Sequence, residues 1–234
     1  IPTFNLKNGK VSDLFGEWME DTLKLSKEPD TVLVTDDFVV YRFSKSEDVI
    51  SINTWHMLQM AFASGDMDKP MYSKSLGSLA ECFYTFVGFD GEDLFQIIAD
   101  DNFKLTARSY HLINQTFLPG ANLESFIQVF IPFMKRLWSA GVISQDKVYW
   151  LSYITNICTD TTKEVIKLQL DKEVFKEVAT GAALIWSVAI TSGRKEELEL
   201  LKKDLDTILK DQSLEMIKPT IIKKIDETIA GISQ

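Results

Sequence analysis

The stretch LESFIQVFIPFMKRLWSA, residues 123–140, decides the class of the fold. Phe126, Val129, Phe130, Phe133 and Leu137 recur at steps of three and four, the spacing that lines up side chains on one face of an α-helix. Asn122 stands before the run as its N-cap, and Gly141 follows it where a left-handed residue ends a helix. Pro132 inside it predicts a kink. An apolar stripe of this width has to be covered by other helices.

The sequence on the C-terminal side supplies them. Ser144 opens QDKVYWLSYITNIC, and DTTKEVIKLQL and DKEVFKEVATGAALIWSVAITSG continue with the same period. ATGAALIWSVAI, residues 179–190, has the length of a buried core helix and is too short to cross a bilayer. In RKEELELLKKDLDTILK, Leu198, Leu201, Leu205 and Leu209 form one narrow stripe, with Glu and Lys pairs on the outside. SLEMIKPTIIKKIDETIAG closes the chain.

On the N-terminal side, IPTFNLKNGK (1–10) has no period and reads as an arm. Ser12 caps a helix through Leu14, Phe15, Trp18, Met19 and Leu23, which Pro29 stops. TVLVTDDFVVYRF (31–43) carries the strand signal: two β-branched and aromatic runs flank Asp36-Asp37, which predicts a hairpin or a bent pair of strands that packs on helices. SKSE (44–47) has the capping-box pattern and predicts a helix from there to Gly65. SKSLGSLAECFYTFV, GEDLFQIIADD and NFKLTARSYHLINQTF add three more helical segments.

The expected fold is therefore mainly α: a multi-helix bundle of nine or ten helices with one small N-terminal β-hairpin. It forms a single domain or two lobes, 1–117 and 118–234, broken at LPGAN (118–122), with Gly193 as a weaker break. No repeat of fixed period and no low-complexity tract interrupts it.

Composition agrees. With 234 residues, 45% hydrophobic and 25% charged, the chain is globular material. At that length it buries roughly 70–75% of the surface its unfolded form exposes, and needs no disulfide or metal to stand. Cys82 and Cys158 lie in apolar helical patterns and read as buried free thiols in a reducing compartment. No apolar run of membrane-spanning length and no leader pattern is visible, so the expectation is a soluble, cytoplasmic protein.

Charge is spread unevenly. Residues 1–117 hold 10 Lys/Arg against 18 Asp/Glu, and residues 118–234 hold 15 against 16. Within this acidic chain, residues 102–145 carry Lys104, Arg108, Lys135 and Arg136 against Glu124 alone. Net acidity disfavours non-specific attachment to nucleic acid or membrane, while a local basic centre can still act as a focused groove.

Catalytic and metal chemistry find little support. His56 and His111 have no Cys, Asp or Glu at i+3 or i+4, and the cysteines lack CxxC spacing. Asp36-Asp37 and Asp100-Asp101 do not follow the alternating pattern of a calcium loop. Cys158 comes late in a helix, where the dipole opposes a thiolate. No nucleophile elbow or glycine-rich phosphate loop occurs. The expectation is no metal, no cofactor and no enzyme activity, with an enzyme lacking a recognisable motif as the third reading.

Two binding readings remain. FKLTARSYHL and FMKRLW interleave cations with aromatic rings, the composition for phosphate contacts and base stacking. Lys104, Arg108 and His111 fall at i, i+4 and i+7, with Tyr110 beside them, and Lys135, Arg136 and Trp138 end the next helix. Antiparallel pairing of the two helices across LPGAN would gather the four cations into one groove for single-stranded RNA or an acidic protein partner. The plan of a short β element, two helical lobes and loose ends is similar to small helical nucleoproteins that polymerise on RNA, with self-association through the terminal segments; no motif carries that likeness. The alternative is a helical carrier of a small apolar ligand, suggested by 15 Phe, 5 Trp and 7 Met.

Overall fold

The computed structural model describes residues 16–84, 87–116, 123–167, 172–209 and 218–232. The arm 1–10, the Ser12 and Asn122 caps, the break at 118–122 and the side chain of Cys158 lie outside the described residues. The fold is mainly α, with eleven helices and one two-stranded sheet among the described residues. The chain divides into two compact units, 1–72 and 73–234.

The first unit contains α1 (Glu17–Leu25), β1 (Leu33–Val34), α2 (Phe38–Ser46), β2 (Ser51–Ile52), α3 (Thr54–Ser64) and the first turn of α4 (Lys69–Glu81). The expected hairpin is replaced by a parallel pair. Leu33 faces Ser51 and Val34 faces Ile52, and α2 makes the crossover that parallel strands need. The second half of the predicted hairpin is therefore helix, and Asp37 is the reason. Its carboxylate accepts the backbone N–H groups of Val39 (2.8 Å) and Val40 (3.0 Å), which is N-cap geometry. Val40, Phe43 and Ser44 then point inward while Val39 and Arg42 stay exposed, a helical period in a β-prone composition. Met19, Leu23, Leu33, Val40, Phe43 and Val49 form the small core.

The SKSE capping box is not made. Ser44 is buried inside α2, bonding the Tyr41 carbonyl (2.9 Å) and Ser51 Oγ (2.7 Å), and Glu47 pairs with Lys27 at 3.1 Å. The following helix starts later, at Thr54. Asn53 caps it by accepting the His56 N–H at 3.0 Å, and Asp36 accepts from Thr54 N and Oγ1. Gly65, with φ 82°, ends it as expected.

The second unit holds the rest of α4, then α5 (Gly91–Asp100), α6 (Ala107–Gln115), α7 (Leu123–Ser139), α8 (Ser144–Lys167), α9 (Lys172–Ser192), α10 (Lys195–Ile208) and α11 (Lys218–Ile232). The two segments expected after Ser144 are one helix as far as Lys167. Helix α7 continues through Pro132 and is the centre of the unit, packing on α5 and α9, while α10 packs on α8 and α11. Phe126, Val129, Phe130, Phe133 and Leu137 are all buried, as their spacing requires. Each such side chain contributes roughly 1.5–3 kcal/mol through removal from water. The leucine stripe of α10 and residues Ala182, Ile185, Trp186 and Ala189 of α9 are buried in the same unit.

Two polar features lock this packing. Asp90 and Asp93 form a reciprocal capping box at the start of α5 (2.8 and 3.1 Å), and Ser73 donates to Asp93 at 2.7 Å. Lys147, at the start of α8, is buried and donates to the Trp138 carbonyl (3.0 Å) and to Glu197 (2.8 Å). Cys82 is exposed rather than buried, because it falls in the turn just past the end of α4. No helix among the described residues is long and apolar enough to cross a membrane.

Candidate nucleic-acid interface

The segment around Lys104 is shaped by the way α5 ends. Asn102 and Phe103 have φ of 53° and 58°, left-handed values that reverse the chain. Phe103 N–H returns to the Ile98 carbonyl (2.8 Å), and its own carbonyl accepts the Trp150 indole N–H at 2.9 Å. Helix α6 begins only after Thr106, whose N–H donates to Ser109 Oγ at 3.1 Å. Lys104 is thus exposed ahead of the helix, so the expected i, i+4, i+7 stripe is broken at its first member.

The arginines are engaged with acids of the same unit. Arg108 donates to Asp101 at 2.7 Å and lies 3.9 Å from Glu81, with the Asp101 side chain 6% exposed. Arg136 pairs with Glu92 at 3.2 Å and stands over the Phe95 ring, 5.1 Å from its centroid. Helix α5 packs against both α6 and α7, and those two acids mark its opposite ends. Nine residues of helix separate them by about 14 Å. The two arginines are therefore held apart by α5 rather than gathered by a hairpin of α6 and α7. Lys104 and Lys135 are exposed and make no ion pair among the described residues.

Trp138 is 4% exposed and belongs to the core, so it has no free face for a base. Tyr110 behaves differently, with 48% of its surface exposed. Its ring meets His111 edge-on at 5.4 Å, and His111 in turn meets Phe83 at 4.6 Å. Phe83 is 73% exposed and holds φ 59°, a costly left-handed conformation for an aromatic residue. Tyr149 and Tyr153 of α8 stack at 6.2 Å. Burial pushes the Tyr153 hydroxyl up to about 12, with Tyr110 and Tyr149 adding to the shift.

The site that emerges is a run of rings, exposed Phe83 and Tyr110 with half-buried His111 between them, and Lys104 at the approach to α6. Sequence spacing missed Phe83, because its exposure follows from a turn conformation that no periodicity reveals. Tyr149 and Tyr153 at i and i+4 in KVYWLSY were the available signal for the α8 rings. Compared with known proteins, the chain matches no family model, no curated protein and no solved structure.

Proposed function

We propose that this is a non-enzymatic binding protein, nucleoprotein-like in role, that takes single-stranded RNA on the surface of Phe83, Tyr110 and His111. The observation that carries the reading is the exposure of Tyr110 and Phe83 on either side of His111. Unpaired bases stack on such rings whatever their sequence, at about 1–3 kcal/mol per base. Lys104 supplies the phosphate contact, while Arg108 stays with Asp101 and shapes the surface. Lys135, Arg136 and Trp138 have no part in it.

The test is a salt titration of binding to a random single-stranded RNA oligonucleotide, with Tyr110→Ala and Lys104→Ala alongside. With one or two phosphates neutralised, log affinity falls with log salt at a slope of about −1. Tyr110→Ala weakens binding at least about fivefold at every salt concentration. Lys104→Ala flattens the slope. No binding at ~50 mM salt overturns the proposal.

A further inference from the structure

We infer that the edge of β1 left open among the described residues of the first unit docks an extended, basic-flanked peptide segment of a protein partner, which adds as a third strand. Leu33 and Thr35 give their N–H groups to the carbonyls of Ile50 (2.9 Å) and Ile52 (3.0 Å). Strand alternation then turns the N–H and C=O groups of Val32 and Val34 to the opposite side. Neither residue has a backbone partner on that side among the described residues. Their side chains are 46% and 57% exposed. An open edge of this kind is a template for pairing, and natural edges are blunted by short strands, charged side chains, proline or a bulge; β1, two residues long, carries the first of these devices and its acidic flanks the second. Within 31–35 the sequence has neither lysine nor proline.

The flanks choose the occupant. Residues 28–37, EPDTVLVTDD, hold Glu28, Asp30, Asp36 and Asp37 and no Lys or Arg. A second copy of this strand is a poor partner, since antiparallel pairing brings Asp30 of one chain beside Asp36 and Asp37 of the other. Parallel pairing sets each acid near its own copy, and like charges across a strand pair are destabilising. A segment with β-branched residues at alternate positions and Lys or Arg at both ends satisfies the backbone, the valines and the charge together. An RNA strand is repelled by the same acids, so this surface is independent of the α6 site.

The test is an NMR titration of the full chain with the peptide acetyl-KKTVTVTKK-amide, reading the Val32 and Val34 amides. The expected result is shifts and slowed hydrogen exchange at both. The acid-flanked peptide EETVTVTEE binds about fivefold more weakly or worse at low salt. A version N-methylated at its valines does not bind. Val34→Pro, which removes the outward N–H and fixes φ within the strand, abolishes binding while leaving the helical circular dichroism unchanged. If that variant does not fold, the N-methylated peptide asks the same question of the native chain. The inference is overturned if the two amides do not respond at ~1 mM peptide, or if the acid-flanked peptide binds equally well. It is also overturned if the amides shift with protein concentration alone, the sign of self-pairing.

Discussion

Lys147 Nζ and Glu197 Oε1 lie 2.8 Å apart, with side chains only 2% and 1% exposed. The pair joins the first turn of α8 to the first turn of α10, and Lys147 also satisfies the Trp138 carbonyl at the end of α7. Two charges so far from water cost several kcal/mol each to desolvate, so the pair is a constraint on geometry more than a source of stability. Glu197→Gln strands the ammonium and is expected to lose about 3–5 kcal/mol in urea unfolding. Lys147→Met costs less, because Arg194 still reaches Glu197 at 2.8 Å from a mostly exposed position. The double variant Lys147→Met with Glu197→Leu should lose less than Glu197→Gln alone, yet stay about 1–3 kcal/mol below the native chain, because the Trp138 carbonyl and the Arg194 N–H lose their partners. A double loss equal to the sum of the single ones would show that the two groups act independently.

The same pair predicts an acid limb in the stability profile. Burial pushes the Glu197 carboxyl up, but hydrogen bonds from Lys147 and from the backbone and side chain of Arg194 outweigh it. Together they hold the group below its ordinary value of 4.5. A carboxyl depressed on folding contributes stability that is present above its unfolded value and lost as pH falls through the folded one. Urea midpoints should therefore decline as pH drops below about 4.5. The Lys147→Met, Glu197→Leu variant should decline less over that range. Parallel declines would place the acid sensitivity elsewhere.

At Gly91 the start of α5 lies directly against the backbone of α7. A Cβ there would overlap the Val129 carbonyl oxygen and the Phe133 backbone nitrogen, and would sit 2.9 Å from Pro132 Cβ. Gly to Ala in a helix ordinarily gains about 0.5–1 kcal/mol. Here the neighbours are helix backbone and cannot step aside, so Gly91→Ala should instead cost about 2–4 kcal/mol. Thermal unfolding decides between the two signs.

The helical bundle was legible because apolar period and burial are the same fact seen twice. Phe130, Phe133 and Leu137, and later Leu198, Leu201 and Leu205, announce their face by spacing alone. The hairpin was misread because Val39, Val40 and Tyr41 favour strands by composition, while the deciding contact is one carboxylate, Asp37, capping the turn that follows. The placement of the cations was only partly legible, for a different reason. Spacing set Lys104 and Arg108 on one face and also placed Asp101 only seven residues before Arg108, near enough to be its partner, whereas Glu92 stands 44 residues from Arg136. A charge partner as distant in sequence as Glu92 is from Arg136 leaves no periodic mark.

Phe83 separates folding from binding within one residue. Its φ of 59° costs roughly 1–2 kcal/mol relative to glycine, and its ring is 73% exposed. A fold under selection for stability alone would place Gly or Asn at this turn after α4. Phe83→Gly removes the strain and forfeits an edge contact with His111 worth about 0.5–1.5 kcal/mol. The net change in stability should therefore be within about 1 kcal/mol of zero. RNA binding should weaken at least about fivefold, because one stacking face is gone. Phe83→Trp restores a ring at the same strained position and should recover the affinity with no gain in stability. A glycine variant that is less stable and binds as before would assign the ring to the fold and remove it from the binding surface.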